Sequence, residues 1–304
     1  MNLKEEARLL RSLLFVPGHR ERYLESAARS DADVLILDVE DSVPLSEKQA
    51  ARELIKQKLR TGLFRSKEII IRVNSRESNL VDEDLEATIW PGVSGIMPSK
   101  SENKEDIQFF DRKLADFEKI RYLTTGSLYM IPLIENPSAV LNAYSIATAS
   151  PRVVAIAFGS EDFIAELQGK HTPEANSLLV PRALIAMAAR TAKCEPIDTV
   201  YLDIHDLEGF ARQARLGREL GFSGTLVLHP SQVEVAHKYF TPTDDEIKEA
   251  EQILAVVGEA QEVGYGVTLL GGELVGPPMV LRSKKVMAIV KKLSDRQGQV
   301  KVDT

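Results

Sequence analysis

The apolar residues of this chain fall into short runs that end in polar turns. Residues 128–134 and 153–158 are two such runs, each long enough for one buried strand. Between them, residues 138–149 place Ala, Val, Leu and Ile at near-helical spacing. This order predicts a βαβ unit, whose parallel strands lie about 4.8 Å apart and end at the same edge of a sheet.

The same alternation continues along the chain. It predicts eight strands, at residues 12–16, 34–37, 69–71, 95–97, 128–134, 153–158, 200–203 and 225–228. Helical spacing lies between them, at residues 22–29, 46–59, 80–89, 105–120, 138–149, 181–193 and 207–220. Eight βα repeats predict a TIM (β/α)8 barrel over residues 1–240. The alternative, an open doubly wound sheet, loses support because the sequence contains no GxGxxG turn or P-loop.

Residues 241–304 form a separate segment after the predicted barrel. An acidic helix at 243–263 precedes two glycine-rich stretches, at 264–266 and 271–276, and a last helix that reaches about residue 293. We expect a C-terminal helical extension. It either covers the site as a lid, packs on a neighbouring subunit or only extends the core.

Composition narrows the class of protein. The 304 residues are 44% hydrophobic and 27% charged, as in a globular protein, and the net charge of −7 argues against nucleic acid or an anionic membrane as partner. Cys194 is the only cysteine, so no disulfide forms within the chain. The charged N-terminus and the lack of a long apolar stretch predict a cytoplasmic protein.

Two carboxylates follow the two apolar runs described first. Glu135 and Asp162 leave adjacent parallel strands at one edge, where both can bind a single hard cation. Oxygen ligands without His or Cys indicate Mg²⁺ or Mn²⁺ rather than Zn²⁺. The structural alternative is that Glu135 caps the next helix and Asp162 only complements a helix dipole, and the spacing does not decide between the two.

Arg72 directly follows the apolar triplet 69–71, where an unpaired charge is costly. We favour a functional arginine over a purely structural ion pair with Asp38 or Glu40. In the acidic cluster Asp38, Glu40 and Asp41, we expect one member to orient Arg72 or a metal-bound water and the others to cap the helix near residue 46.

An ordered set of motifs resembles the citrate lyase beta subunit-like family of the HpcH/HpaI aldolase superfamily, which includes malyl-CoA and citramalyl-CoA lyases. The motifs span nearly the whole chain: RSLLFVPG at 11–18, LILDVEDSV at 35–43, IRVN at 71–74, IE at 134–135, FGSED at 158–162 and HPSQ at 229–232. The resemblance implies a TIM barrel that assembles as a homotrimer or hexamer.

The resemblance also implies an activity. The family uses Mg²⁺ to cleave or form a carbon–carbon bond in a hydroxyacyl-CoA, with a 2-oxo acid and acetyl-CoA as products. Glu135 and Asp162 match its metal ligands, and Arg72 matches the arginine that binds the reacting carboxylate and carbonyl oxygens. The alternatives are a citrate lyase beta subunit that acts on an acyl-carrier-protein thioester, a simple aldolase and a non-catalytic binding barrel.

The remaining site predictions follow from the chemistry of such a cleavage, which removes a hydroxyl proton and develops enolate charge. Arg72, Glu40 and Asp41 are the predicted catalytic residues. Because backbone N–H groups at the start of a helix bind anions, we expect the substrate carboxylate to bind at Gly159, Ser160 and Glu161, together with Arg72. Basic residues on loops at the active face, predicted to bind CoA, are Arg20, Arg22 and Lys100.

Two departures from the family pattern concern proton transfer. The family's C-terminal Asp-Gly-Lys-Met-Val-Asp is Gly-Gly-Glu-Leu-Val-Gly at 271–276, so the aspartate that reaches a neighbouring site is replaced by Gly276. Glu273 stands three residues away. The family's Pro-Lys after the fourth strand is Ser99-Lys100. The resemblance therefore leaves the proton donor unassigned.

Overall fold

The computed structural model describes residues 3–4, 6, 8–170, 172, 175–262 and 268–300. The chain forms two compact units. One comprises Met1–Glu6 and Leu10–Phe240, and the other comprises Ala7–Leu9 and Thr241–Thr304.

A parallel sheet forms the centre of the first unit. Its strands are β1 (Ser12–Pro17), β2 (Val34–Asp38), β3 (Glu68–Val73), β4 (Gly95–Pro98), β5 (Tyr129–Met130), β6 (Leu133–Ile134), β7 (Ala155–Phe158), β8 (Glu195–Asp198) and β9 (Gly224–Val227). They pair in the order β5-β4-β3-β2-β1-β9-β8-β7-β6, and every pair in this sheet is parallel.

The two edges of this sheet are halves of one interrupted barrel strand. Between β5 and β6, the Ile131 N–H donates to Ile96 O, and Pro132 O accepts from the Ala157 N–H, both at 3.0 Å. The segment therefore pairs with β4 on one side and β7 on the other, which closes the sheet into a TIM barrel. Pro132 has no N–H to donate, and the regular ladder is interrupted there.

Alternating side chains build the two layers of the core. On β2, Val34 and Ile36 belong to the cluster inside the barrel, whereas Leu35 and Leu37 pack with the surrounding helices. All five residues of β2 are buried. Burial on both faces explains why the strands read as continuous apolar runs.

The surrounding helices of the first unit are α1 (Glu21–Ala28), α2 (Lys48–Arg60), α3 (Val81–Thr88), α4 (Lys104–Ile120), α5 (Pro137–Leu141), α6 (Ala143–Thr148), α7 (Ser160–Leu167), α8 (Asn176–Thr191), α9 (Leu207–Glu219) and α10 (Ser231–Phe240). Short 3-10 turns occur at Leu45–Glu47 and Arg76–Ser78. Within the described part of this chain, no helix is long and apolar enough to cross a bilayer.

The TIM barrel predicted from the sequence is confirmed, but three local predictions are wrong. The seventh strand is β8, at residues 195–198 and not 200–203. The sequence does not reveal it because Pro196 interrupts the strand pattern. The Pro196 carbonyl nevertheless accepts a hydrogen bond from the Ser223 N–H. The helix predicted to begin at Pro181 begins at Asn176. The helix predicted at 138–149 is two helices that meet at Asn142.

The amino ends of the strands hold a buried ion pair. Asp33, which precedes β2, accepts hydrogen bonds from the Arg11 backbone N–H at 2.9 Å, from Nε at 2.8 Å and from Nη2 at 2.7 Å. His237 Nε2 lies 3.4 Å from the same carboxylate. Burial alone would raise the pKa of Asp33, but Arg11 and His237 outweigh it and hold that pKa far below its usual value.

The second unit contains α11 (Asp244–Glu262), the antiparallel strands β10 (Thr268–Leu270) and β11 (Glu273–Val275), and α12 (Pro277–Val300). Gly271 and Gly272, with φ of 59° and 91°, form the two-residue turn between these strands, a conformation that favours glycine. The glycine-rich stretch predicted at 264–266 lies outside the described residues. A lid role for this unit stays a prediction.

Candidate active site

Arg72 lies at the end of β3, directly opposite Asp38 in the parallel register with β2. Its Nε and Nη2 donate to the two Asp38 carboxylate oxygens at 2.7 and 2.5 Å, and its guanidinium carbon lies 4.6 Å from the centre of the Phe15 ring. Nη1 lies 3.4 Å from Glu40 Oε2. The ion pair named as the structural alternative is therefore present, and it fixes the direction of the guanidinium.

Asp38 also organises the loop that follows β2. It accepts from the Glu40 and Ser42 N–H groups at 2.9 and 3.2 Å. Burial on its own would raise the pKa of Asp38, but Arg72 and these N–H groups hold it below the usual value. None of the acids here caps the turn at Leu45–Glu47, which has Pro44 at its N-cap, so that part of the prediction is wrong.

Glu40 is buried and its carboxylate is shared between two cations. Oε1 lies 3.1 Å from Lys100 Nζ, and Oε2 faces Arg72 while accepting the Asp41 N–H at 2.7 Å. Burial raises the pKa of Glu40, and Arg72 and Lys100 only partly oppose it. Asp41 is exposed and lies 3.4 Å from Lys100 Nζ.

Glu135 follows β6 and is 3% exposed. Its Oε1 accepts the Lys100 backbone N–H. Burial, aided by the nearby carboxylates of Glu40 and Asp162, outweighs that hydrogen bond and Arg72, and it raises the pKa of Glu135 to about 8. The cap of α5 is Asn136, whose side chain accepts the Ala139 N–H at 2.7 Å, so the capping alternative for Glu135 is wrong.

Gly159 lies between β7 and α7 and leaves room for Glu135. A Cβ at this position would lie 2.7 Å from Glu135 Cβ and 3.0 Å from Oε2, so a larger residue would displace the carboxylate. Asp162 lies in the first turn of α7 and is exposed, and its charge acts on Glu135. The two predicted metal ligands are thus brought to one edge of the barrel.

The backbone N–H groups at the start of α7 are partly used within the protein. Gly159 N–H donates to Ile134 O at 2.9 Å, and Ser160 N–H donates to Thr199 Oγ1 at 3.2 Å. The Thr199 hydroxyl in turn donates to Ser160 Oγ at 2.6 Å. Substrate binding by the first two N–H groups does not fit these contacts, whereas binding near Glu161 and Asp162 stays a prediction.

The three basic residues predicted to bind CoA follow barrel strands at the same face but differ in their surroundings. Arg20 and Arg22, at the start of α1, are exposed. Lys100, two residues after β4, is 43% exposed at its side chain and paired with Glu40 and Asp41. Binding of CoA by these residues stays a prediction.

The donor set fits a hard divalent cation. In the part of the chain that the structure describes, no three His, Cys, Asp or Glu residues are grouped as a metal site. Mg²⁺ does not need such a group, because it commonly binds through one or two carboxylates together with water and substrate oxygens. A buried Glu135 with a raised pKa, close to two further carboxylates, marks an excess of negative charge that a divalent cation would neutralise.

Sequence reasoning missed the contribution of the β4 loop. Lys100 has a left-handed backbone, with φ of 50°, and its N–H holds Glu135. Nothing in the sequence marks a lysine for that conformation. The sequence presents Asp38 as one of three neighbouring acids, whereas the strand register pairs it specifically with Arg72.

Known proteins are similar to this chain over most of its length. Residues 11–230 match the model of the family described as HpcH/HpaI aldolase/citrate lyase. The chain is 34% identical to citrate lyase subunit beta of Leuconostoc mesenteroides subsp. cremoris, over 96% of this chain and 97% of that protein. It is 31% identical to the human mitochondrial citramalyl-CoA lyase, over 94% and 87% of the two chains.

A solved structure is similar as well. The crystal structure of the protein CitE from Mycobacterium tuberculosis, in complex with magnesium, acetoacetate and coenzyme A, has a TM-score of 0.68 and 26% sequence identity. The match covers 93% of this chain and 98% of that one.

Proposed function

The chain belongs to the HpcH/HpaI aldolase/citrate lyase family and is a Mg²⁺-dependent carbon–carbon lyase, and we propose that it cleaves a hydroxyacyl-CoA such as malyl-CoA or citramalyl-CoA. The products would be a 2-oxo acid and acetyl-CoA. The observation that carries this proposal is the gathering of Arg72, Glu135 and Asp162 at the carboxyl ends of the barrel strands, where TIM barrels place their active sites.

Arg72 has the geometry to receive the oxygens of the reacting group. Its Nε and Nη2 atoms are paired with Asp38, so Nη1 lies on the other edge of the guanidinium. A fixed guanidinium stabilises developing oxygen charge without reorganising during the reaction. We assign Arg72 to the carboxylate and carbonyl oxygens of the forming 2-oxo acid.

We assign Glu135 and Asp162 to the cation, with substrate and water oxygens as its other ligands. When bound, Mg²⁺ supplies Lewis-acid stabilisation of the negative charge on the substrate oxygens. The chain's own contribution is to hold Glu135 by the Lys100 N–H and to keep the carboxylate in place against Gly159.

The reaction also moves a proton from the substrate hydroxyl and delivers one to the carbon that becomes the methyl group of acetyl-CoA. Glu40 is the described carboxylate that best fits this exchange. It is buried, its pKa is raised, and it lies beside Arg72. Asp41 stays a second candidate on the same loop.

A citrate lyase beta subunit that acts on an acyl-carrier-protein thioester is the second candidate. The identity of 34% to citrate lyase subunit beta, against 31% to citramalyl-CoA lyase, favours keeping it. The two candidates use the same acyl chemistry and differ in what carries the thioester.

The test is release of pyruvate from citramalyl-CoA and of glyoxylate from malyl-CoA, with Mg²⁺ and with the metal chelated. We expect release that requires Mg²⁺. Release of neither oxo acid, together with oxaloacetate release from a citryl carrier protein, would replace the first candidate by the second. No release from any of the three thioesters would contradict both.

A further inference from the structure

Lys100 interacts with three carboxylates of the site, those of Glu40, Asp41 and Glu135. We propose that its ammonium group is a positioning residue that keeps Glu40, now 3.4 Å from Arg72 Nη1, from closing further onto that nitrogen, and so keeps the Arg72 guanidinium available to an anionic substrate. This inference rests on the proposed role of Arg72 in binding the 2-oxo acid. It assigns Lys100 to the acyl end of the substrate and not to the CoA end.

Lys100 has an unusual backbone conformation just after the carboxyl end of β4. Its φ of 50° is in the left-handed region that L-residues rarely adopt. The other described non-glycine residues with positive φ flank helices or a 3-10 turn: Asn79, Tyr122, Gln168, Ala175 and Lys193. Backbone strain of this kind is typical of functional sites.

The two ends of Lys100 act on different partners. The backbone N–H donates to Glu135 Oε1, and any residue other than proline would keep that donor. The side-chain Nζ lies 3.1 Å from Glu40 Oε1 and 3.4 Å from Asp41 Oδ1. A change of the side chain alone therefore separates the effect on Glu40 from the support of Glu135.

Glu40 has two cations within ion-pair distance of its carboxylate among the described residues, Lys100 and Arg72. Without the ammonium group, Arg72 is the cation that remains at 3.4 Å. Since Asp38 already pairs with two nitrogens of Arg72, a second carboxylate drawn onto Nη1 would neutralise the edge that we assign to substrate.

The positive charge of Lys100 favours the oxo acid but disfavours a divalent cation at Glu135. The ammonium group is close enough to Glu135 for the two charges to interact. Its removal makes the surroundings of Glu135 more negative, which favours a divalent cation. A loop that merely collapsed would weaken both the metal and the oxo acid, so opposite shifts distinguish positioning from structural support.

The experiment compares wild type, Lys100→Met, Lys100→Arg, Glu40→Gln and the Lys100→Met/Glu40→Gln double variant by calorimetry. The probes are Mg²⁺ alone, then pyruvate or glyoxylate added to the Mg²⁺-loaded protein. We expect Lys100→Met to weaken oxo-acid binding about tenfold while Mg²⁺ binds equally or up to about fivefold more tightly. Lys100→Arg should retain oxo-acid binding within about threefold, because it keeps the charge.

The double variant provides the decisive comparison. With Glu40 neutral, loss of the ammonium group should no longer matter, and oxo-acid affinity should return to within about threefold of Glu40→Gln. Additive losses in the double variant, or weaker Mg²⁺ binding by Lys100→Met, would overturn the inference. Thermal unfolding of each variant verifies that it is folded.

The readouts separate this inference from the proposed function. If wild type binds Mg²⁺ and an oxo acid but cleaves no thioester, the proposed function fails while the binding cycle still tests Lys100. A Lys100→Met variant with raised KM for acyl-CoA and unchanged oxo-acid affinity would instead support CoA binding, and it would overturn the inference.

Discussion

Two buried carboxylates, one at each end of the barrel, are in opposite electrostatic states. At the amino ends, Asp33 is surrounded by three donors of Arg11, and its pKa is lowered. At the carboxyl ends, Glu135 has a single described hydrogen-bond donor and two nearby carboxylates, and its pKa is raised to about 8. The first arrangement is complete without a ligand, whereas the second is electrostatically incomplete.

This difference separates stability from function within one fold. A satisfied ion pair holds β1 and β2 together, because Arg11 and Asp33 precede these strands. An unsatisfied carboxylate is costly to bury, and its energy is recovered only when a cation or proton arrives. Changes at Glu135 and its cation site should therefore act on activity, and changes at the Arg11–Asp33 pair should act on folding.

The largest effect is expected for Asp162→Asn. Loss of one of two proposed metal ligands should lower kcat/KM by about three decades, or about 4 kcal/mol, because negative charge on the substrate oxygens is then less stabilised. Steady-state kinetics measures the activity and thermal unfolding measures the stability of the variant. We expect little change in Tm. Glu166→Gln, exposed on the same helix α7, is the matched control. Equal losses in both variants would contradict the assignment.

The converse change is Arg11→Met at the amino ends. It leaves the Asp33 carboxylate buried without its guanidinium, which costs about 3–5 kcal/mol and should lower Tm by on the order of 10 °C. We expect kcat/KM within about twofold of wild type at a temperature where the variant is folded. Arg112→Met, an exposed position on α4, should leave Tm nearly unchanged. Lost activity in a folded Arg11→Met would break the proposed separation.

The raised pKa of Glu135 makes Mg²⁺ binding depend on pH. Below about pH 8, this carboxyl carries a proton that the cation must displace, so affinity should fall about tenfold for each further pH unit and level off above pH 8. Calorimetry in two buffers of different ionisation enthalpy, at about pH 7 and pH 9, measures the proton released. A constant affinity with no proton release would contradict the raised pKa.

A smaller effect is expected for Gly159→Ala. The added Cβ, 2.7 Å from Glu135 Cβ, must push the carboxylate aside, and we expect Mg²⁺ affinity to fall about tenfold. Gly169→Ala is the matched control, since its nearest neighbour would lie at an ordinary 3.6 Å. Similar affinities in the two variants would remove Gly159 from the site.

The sequence predicted the barrel because buried parallel strands read as apolar runs, as residues 34–37 and 69–71 do. It also predicted that Glu135 and Asp162 lie at the same edge of the sheet, because parallel neighbours end there. It did not predict the position of β8, whose Pro196 conceals a strand pattern. Neither did it predict the contact of the Lys100 N–H with Glu135, because a left-handed lysine depends on tertiary context that spacing does not contain.

The pairing of β1 with β9 determines when the barrel can form during protein synthesis. Ser12 pairs with Thr225, so the ring closes only after nearly three quarters of the chain has been made. Until then, β1 presents an unpaired apolar edge, which is a template for association with other chains. A nascent chain that stops before β9 therefore carries an aggregation hazard that the finished barrel does not have.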